Sequence, residues 1–490
     1  MNIFRSSVRP GPSLVLLLVL LGGCAVGPDF VRPAAPDADR YTHEPLLAAT
    51  VSADGQAQHF TPGAASTVDW WKLFKSAPLD DLVCQALANN LTLQAAEASL
   101  RQSQDNLRAG YGVFFPQIGA ELDATRQRTV PSPQGTQASG GIFNLVTLSG
   151  NVSYTLDVFG GKRRAVEGLQ AQVDYQRYES QAAYLTLSAN VVNTVIARAA
   201  YAAQIRATEQ LIDLEKEQLH ATEAQVRAGT APYSNVLSMR SLIAANQASL
   251  APLKQKISQT EHLLATLEGV VPAKVTLPDI DLTGLSLPVD LPASLPSDLV
   301  RQRPDILSAE AQLHVASANI GVATAAMFPS FSLNGAYGGA GSSLGNFSPF
   351  WSLGPSVTVP VFQGGTLWYG RKAAIDAYQQ SQAIYRQTVL DAFAQVADSL
   401  KALEHDAEAL QAQVESQHDA GEALRLLQAN YRAGLVAYLD VLTADVQFHQ
   451  ATIAYLQAVA QRHQDTVALF VALGGGWWNG QRPPGQKEVP

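Results

Sequence analysis

Two stretches of the chain keep a strict helical seam. Tyr178, Ala182, Leu185, Ala189, Val192, Ile196, Ala199 and Ala203 hold a 4-3-4-3 spacing, and Val389, Phe393, Val396, Leu400, Leu403, Ala407, Leu410 and Val414 repeat it. That spacing belongs to helices packed side by side, as in a coiled coil. Periodicity carries the first helix from Gly160-Gly161 to about Ala228 and the second from about Thr366 to Arg432. At 1.5 Å per residue each is roughly 100 Å long. Elsewhere the period drops to two. Val146, Leu148, Gly150, Val152, Tyr154, Leu156 and Val158 alternate with Thr147, Ser149, Asn151, Ser153, Thr155 and Asp157. Similar patterns predict strands from Gln117 onward, over Ser330 to Tyr337, and over Trp351 to Val361. A soluble sandwich would turn the apolar face inward and a membrane barrel would turn it to lipid; the local pattern is compatible with both. A helix from Leu79 to Ala109 precedes the first strands, with Cys84 as a packed thiol beside Leu82, Val83 and Leu87. The glycines from Gly338 to Gly345 lie between strands with no helix following, so they predict a hairpin turn and not a phosphate loop.

The chain is also doubled. Arg227-Ala228-Gly229-Thr230 stands 205 residues before Arg432-Ala433-Gly434-Leu435, and in that register Tyr233 matches Tyr438, Asn235 matches Asp440 and Val236 matches Val441. Leu93 to Leu100 aligns with Ile306 to Leu313 at an offset of 213, which places Phe115-Pro116 on Phe328-Pro329. Repetition at this scale means one unit was copied. The expected division is 1–23, a leader; 24–77, an extended arm; 78–269, the first repeat; 270–296, a proline-punctuated linker; 297–476, the second repeat; and 477–490, a tail. Each repeat supplies a short helix, two strands, a long helix, a glycine turn and a return helix. Four strands cannot close, since membrane barrels begin at about eight, and open edges in lipid cost several kcal/mol per unpaired group. Symmetric closure by three copies gives twelve strands.

Composition narrows the function. Charged residues make up only 15% and the net charge is −9, which argues against a nucleic-acid partner. Two cysteines provide no disulfide framework and no zinc cluster, although a Cys24–Cys84 bridge is formally possible. Arg5 and Arg9 precede an apolar run from Leu14 to Leu21, then small residues and Cys24, which is the layout of a secretory leader. Leu21-Gly22-Gly23-Cys24 resembles a bacterial lipobox, which implies an N-acyl chain and an S-diacylglycerol on Cys24. The alternative is an ordinary thiol behind a leader cut elsewhere. Ala25 in place of an aspartate points to the outer membrane under enteric-type sorting. The histidines are scattered without ligand spacing, and no nucleophile motif or P-loop is present, so an enzyme is not expected.

Several segments together look like a known family. Cys24-Ala25-Val26-Gly27-Pro28, Trp70-Trp71, Arg303-Pro304-Asp305-Ile306, Phe328-Pro329, Phe362-Gln363-Gly364-Gly365, Tyr438-Leu439-Asp440-Val441-Leu442 and Ala472-Leu473-Gly474-Gly475-Gly476-Trp477 resemble the TolC-type outer-membrane efflux proteins. The lipoprotein (NodT/OprM-like) branch that serves resistance-nodulation-division pumps is the nearest match. The resemblance implies an α+β membrane protein: a homotrimeric twelve-stranded β-barrel continued by a long α-helical barrel, with a mixed belt around residues 270–296 and the tails. It implies a passive conduit for drugs or other small molecules, fed by an inner-membrane pump through a periplasmic adaptor. The adaptor would grip hairpin tips at Gly229, Thr230, Gly434 and Leu435. The periplasmic gate would involve Asp440, Asn235, Tyr431 and Thr443, where some relatives carry a second aspartate at the position of Thr443. A helix-capping role for Asp440 is the structural alternative, and the two are compatible. The aromatics Phe347, Phe350, Trp351, Trp368 and Tyr369 suit two interfacial girdles. A lipidated adaptor, the other class to weigh, would carry one hairpin among many short strands; here two hairpins flank two strand pairs.

Overall fold

A computed structural model describes residues 25–45, 47–64, 66–128, 141–293, 296–343 and 345–479. Helices run over Ala77–Asn89 (α1), Leu91–Tyr111 (α2), Gly161–Arg227 (α3), Tyr233–Leu267 (α4), Pro296–Gln302 (α5), Pro304–Ala325 (α6), Thr366–Arg432 (α7) and Tyr438–Ala472 (α8). Strands run over His59–Pro62 (β1), Gln117–Arg128 (β2), Ile142–Leu156 (β3), Asp290–Ala293 (β4), Ser330–Gly341 (β5) and Phe347–Thr358 (β6). The doubling is metrical. Both long helices have 67 residues and both return helices have 35. The register changes from 213 to 205 because 13 residues, 129–141, separate β2 from β3, eight more than the five, 342–346, that separate β5 from β6. Among the described residues no helix is long and apolar enough to cross a membrane.

Two compact units form. One comprises Met1–Pro33, Leu100–Gln176 and Ala309–Tyr385, and holds an antiparallel sheet of order β2-β3-β5-β6. Its register gathers one kind of residue on each face. Ile118, Leu122, Leu148, Val152, Leu333, Tyr337, Trp351, Leu353 and Val357 fall on one side; Ser149, Asn151, Ser153, Ser332, Asn334, Ser352 and Ser356 fall on the other. Phe350 pairs with Gly338 and so lies on the polar side, not in the aromatic girdle expected for it. Gly338–Gly341 belong to β5 and not to the turn: each is paired with a residue of Phe347–Phe350, and a side chain on Gly338 would strike the backbone of Leu148. Strand β3 ends before Val158 because Asp157 turns to accept the N–H groups of Lys162 and Arg163 at the start of α3. A carboxylate there satisfies otherwise unpaired donors.

The second unit comprises Ala34–Ser99, Arg177–Ser308 and Arg386–Pro490. Of the expected seams, Leu185, Ala189, Val192, Ile196 and Ala199 are buried on α3, and Val389, Val396, Leu400, Leu403, Ala407 and Leu410 on α7. The arm is less peripheral than its sequence suggests. Its strand β1 pairs in parallel with β4, and Trp70, Trp71 and Phe74 are fully enclosed, Trp70 stacking on Phe470 at 5.6 Å. Arg462, 1% exposed, donates to Gln58 Oε1, Thr50 Oγ1 and the carbonyls of Ala53 and Gln56, which fastens the arm to α8. The single helix expected over Leu79 to Ala109 is two helices. Asn90 breaks it: its side-chain oxygen accepts the Leu93 N–H at 3.0 Å, and its amide donates to the Leu267 carbonyl at the end of α4. Cys84 is exposed and not packed. The buried stripe of α1 is Leu79, Leu82, Val83 and Ala86, and Cys84 lies one position off it.

The Arg-Pro-Asp motif acquires a physical role here. Arg303 grips Asp305 with two nitrogens at 3.0 and 2.6 Å, and donates to Gln395 and to the Ala472 carbonyl at the end of α8. Trp477 donates to the Gln302 carbonyl beside it at 2.7 Å. Arg303→Ala leaves the Ala472 carbonyl and the Gln395 amide without their donor and should cost about 2–3 kcal/mol. Arg303→Lys keeps the charge but not the planar fork, and should recover only part of that. Thermal unfolding of the detergent-solubilised protein measures both; an unshifted midpoint for Arg303→Ala would dismiss the role.

Candidate functional site

The hairpin tips are built by glycine. At Gly229 (φ +75°) and Gly434 (φ +77°) the long helices end in the left-handed conformation that residues with a Cβ adopt only at a cost. In each case the glycine N–H donates three residues back, to Val226 and to Tyr431, and the next N–H donates five residues back, from Thr230 to Gln225 and from Leu435 to Asn430. This pair of bonds satisfies orphaned carbonyls and reverses the chain. The return helices end the same way, at Gly269 and Gly474. One cap, used four times, sets all four helix ends.

The residues expected at the gate, with their neighbours, fall into two sets. Tyr431 and Tyr438 stand 5.3 Å apart by ring centroid; Tyr431 donates to Gln225 Oε1 at 3.2 Å, and Tyr438 donates to the Met239 sulfur at 3.1 Å. With Ile212, Met239 and Ile243 they form the apolar cluster joining the two repeats near the tips. Tyr431 is therefore a packing residue with a hydrogen bond across the repeats. The second set faces outward. Asp440 is exposed, and its carboxylate accepts the Ala437 N–H at 3.0 Å, so the capping geometry is present. Thr443 is exposed and donates to its own helix at Leu439. Asn235 is half-buried at the matching place in the first repeat. Thr230 is exposed with its hydroxyl turned back to Gln225, and Leu435 is 74% exposed on the tip itself.

Gln225, Met239 and Tyr438 were not among the gate residues expected from sequence. Neither were Glu215 and Asp445, two carboxylates buried on the facing sides of α3 and α8. These last were legible: Asp445 sits on the stripe of Tyr438, Val441 and Phe448, and Glu215 on that of Leu211, Ile212 and Leu219.

Cys24 lies outside the described residues, but the residues directly after it are firmly held. The Val26 N–H donates to the Phe159 carbonyl at 3.0 Å. Gly27 (φ +98°) presses on Gly321 so closely that a Cβ would come within 2.5 Å of its Cα. Asp29 accepts from Arg164, which also binds Glu167; Glu167 in turn contacts His314, and Phe30 stacks on the His314 ring at 4.2 Å. The start of the arm is thus locked to the first turns of α3 and to α6.

A family model described as outer membrane efflux protein matches residues 82–270 and 295–475. The pyoverdine export outer membrane protein OpmQ of Pseudomonas aeruginosa is 30% identical over 485 residues, covering 97% of this chain and 99% of that protein. The probable efflux pump outer membrane protein TtgC of Pseudomonas putida is 31% identical over 480 residues, 95% of each chain. Among solved structures, the outer-membrane channel OprN superposes with a TM-score of 0.82 at 27% identity, covering 93% of this chain and 100% of its own.

Two substitutions separate the structural contributions at the tip. Gly434→Ala should cost about 1 kcal/mol through the left-handed backbone. Asp440→Ala should cost about 0.5–1 kcal/mol by removing the bond to Ala437. Hydrogen exchange over residues 430–443 reads both as lost protection, and unchanged protection in Asp440→Ala would show that the cap carries no weight.

Proposed function

The chain belongs to the outer membrane efflux protein family, and from that premise we infer that it is the outer-membrane channel of a tripartite efflux pump. The sheet carries the reading. Its apolar face is uncovered, with Ile118 80% and Trp351 76% exposed, while hydroxyls and amides crowd the opposite face. A sheet made for water has the reverse arrangement, and lipid is the solvent that rewards this one. Its outer strands β2 and β6 each leave an edge of 12 residues for a further strand. Three copies joined edge to edge close a twelve-stranded barrel with a polar lumen.

The partners follow from the same premise. Cys24 carries the N-acyl and S-diacylglycerol anchor, and the clamp at Gly27 and Arg164 would hold that lipid at the foot of the sheet. A periplasmic adaptor docks on the tips at Gly229, Thr230, Gly434 and Leu435, and a resistance-nodulation-division pump supplies the cargo. Relatives are named for exporting pyoverdine and toluene, and the cargo here is of the same broad class, small organic molecules. Three Asp440 carboxylates around the axis would favour cations, with Tyr431, Asn235 and Thr443 beside them.

Leu353 and Ser352 test the sheet reading as neighbours on opposite faces. Leu353→Arg places a charge toward lipid at a cost of up to about 2–4 kcal/mol and should abolish the heat-modifiable outer-membrane trimer. Ser352→Arg should leave it intact. Equal tolerance of both would refute lipid contact. For the gate, single-channel recording of Asp440→Ala should show altered conductance and weaker cation preference; an unchanged trace removes Asp440 from the pore.

A further inference from the structure

Glu215 on α3 is 2% exposed and Asp445 on α8 is 9% exposed. Their carboxyl groups lie within hydrogen-bonding reach of each other. Glu215 Oε1 accepts from the Asn246 amide of α4 at 2.6 Å, but no donor reaches Oε2. With both groups ionised, a buried oxygen would have no partner and would face a second negative charge, an arrangement that costs several kcal/mol. A proton on Glu215 Oε2 removes both penalties at once. The acid then donates to Asp445, and its carbonyl oxygen still accepts from Asn246.

We propose that Glu215 and Asp445 hold one proton between them and so form a latch that ties the first repeat's long helix to the second repeat's return helix, about three to four turns in from the tip glycines. The proton is released to water as the latch opens, leaving two carboxylates that repel each other. The latch needs only the packing within one chain; its effect on permeation rests on the channel reading.

The surrounding charges do not supply an alternative counter-ion. On α3, Lys216 is paired with Asp213. On α4, Arg240 is paired with Glu223 and Lys254 with Glu209. On α7, Arg425 is paired with Glu422. On α8, His449 stands one turn beyond Asp445, and burial lowers its pKa, which disfavours the charged imidazolium. Tyr438 also feels the pair's charge, and burial raises its pKa; His220, five residues beyond Glu215 on α3, is exposed. Burial, and then the Asp445 charge, push Glu215 up to about 7, and burial raises Asp445 as well. The arrangement recurs farther along α8. There Asp406 of α7 meets Asp465 with Asp406 Oδ2 lacking a donor, and burial again pushes Asp406 up to about 7.

The sign follows from linkage. An acid whose folded pKa is raised favours the packed state at low pH. That contribution is complete below the unfolded value of 4.5 and is lost as pH rises through about 7. Hydrogen exchange of the full-length protein in detergent, corrected for intrinsic rates and followed over residues 438–450, reads the loss. Protection in the wild type should fall roughly tenfold or more between pH 6 and 8. Glu215→Gln keeps the shape, donates to Asp445 and cannot ionise, so its protection should be flat across that range. A flat wild type, or a Glu215→Gln protein with the same fall, overturns the latch. Asp445→Asn gives the same comparison from the other side should the first variant not assemble. Recording bilayer conductance over the same pH range keeps the two readings apart. A protein silent at every pH would count against the channel, while the exchange data would still decide the latch.

Discussion

A four-stranded sheet with two open edges and an uncovered apolar face is not a finished structure in either solvent. Water penalises the face that carries Ile118, Leu148, Tyr337, Trp351 and Leu353. Lipid accepts the face but penalises the edges, because nothing there can hydrogen-bond the free N–H and C=O groups of β2 and β6. Closure with further copies satisfies both demands.

Doubling is the economical way to build that sheet. Each repeat delivers two strands and a helical hairpin, and the hairpins agree in length to the residue, 67 and 35 in both cases. Such agreement is demanded if neighbouring helices must end at one level. The same glycine cap at all four ends, Gly229, Gly269, Gly434 and Gly474, fixes where each stops without relying on the partner helix. The eight-residue difference between the two registers falls between the paired strands of each repeat and not in the hairpins.

The periodic features could be read from the sequence, and the contacts between distant segments could not. The long helices, the four sheet strands and the glycine turns followed from local spacing of residues, which is a short-range property. The parallel pairing of β1 with β4 joins segments more than 200 residues apart, and neither four-residue strand has a pattern of its own. Trp70 and Trp71 were visible as a motif, but their enclosure beneath Phe470 depends on the fold. Asn90 broke a helix that periodicity had joined, because its side chain serves two helix ends at once. At the tip, Gly229, Gly434 and Asp440 stood out as turn chemistry. Gln225 and Met239 did not, because their roles exist only when the other repeat's tyrosines arrive.

The buried polar groups of the second unit show where such a structure can afford specificity. Leu, Val and Ala stripes alone let two long helices slide past one another by a turn at little cost. Arg462 can satisfy its donors only with Gln58, Thr50, Ala53 and Gln56 in place, and Arg303 only with Asp305, Gln395 and Ala472. Each is therefore a register pin, costly to bury and costlier to misalign. Both pins lie toward the ends of the helices farthest from the tips, beside the arm and the Gly474 cap. Nearer the tips the cross-repeat contacts are an apolar cluster, two tyrosine hydroxyls and a pair of carboxyls, with no buried arginine among the described residues there. Register is thus pinned hard within the second repeat and between that repeat and the arm, whereas the contacts that join one repeat to the other near the tips are weaker and more reversible.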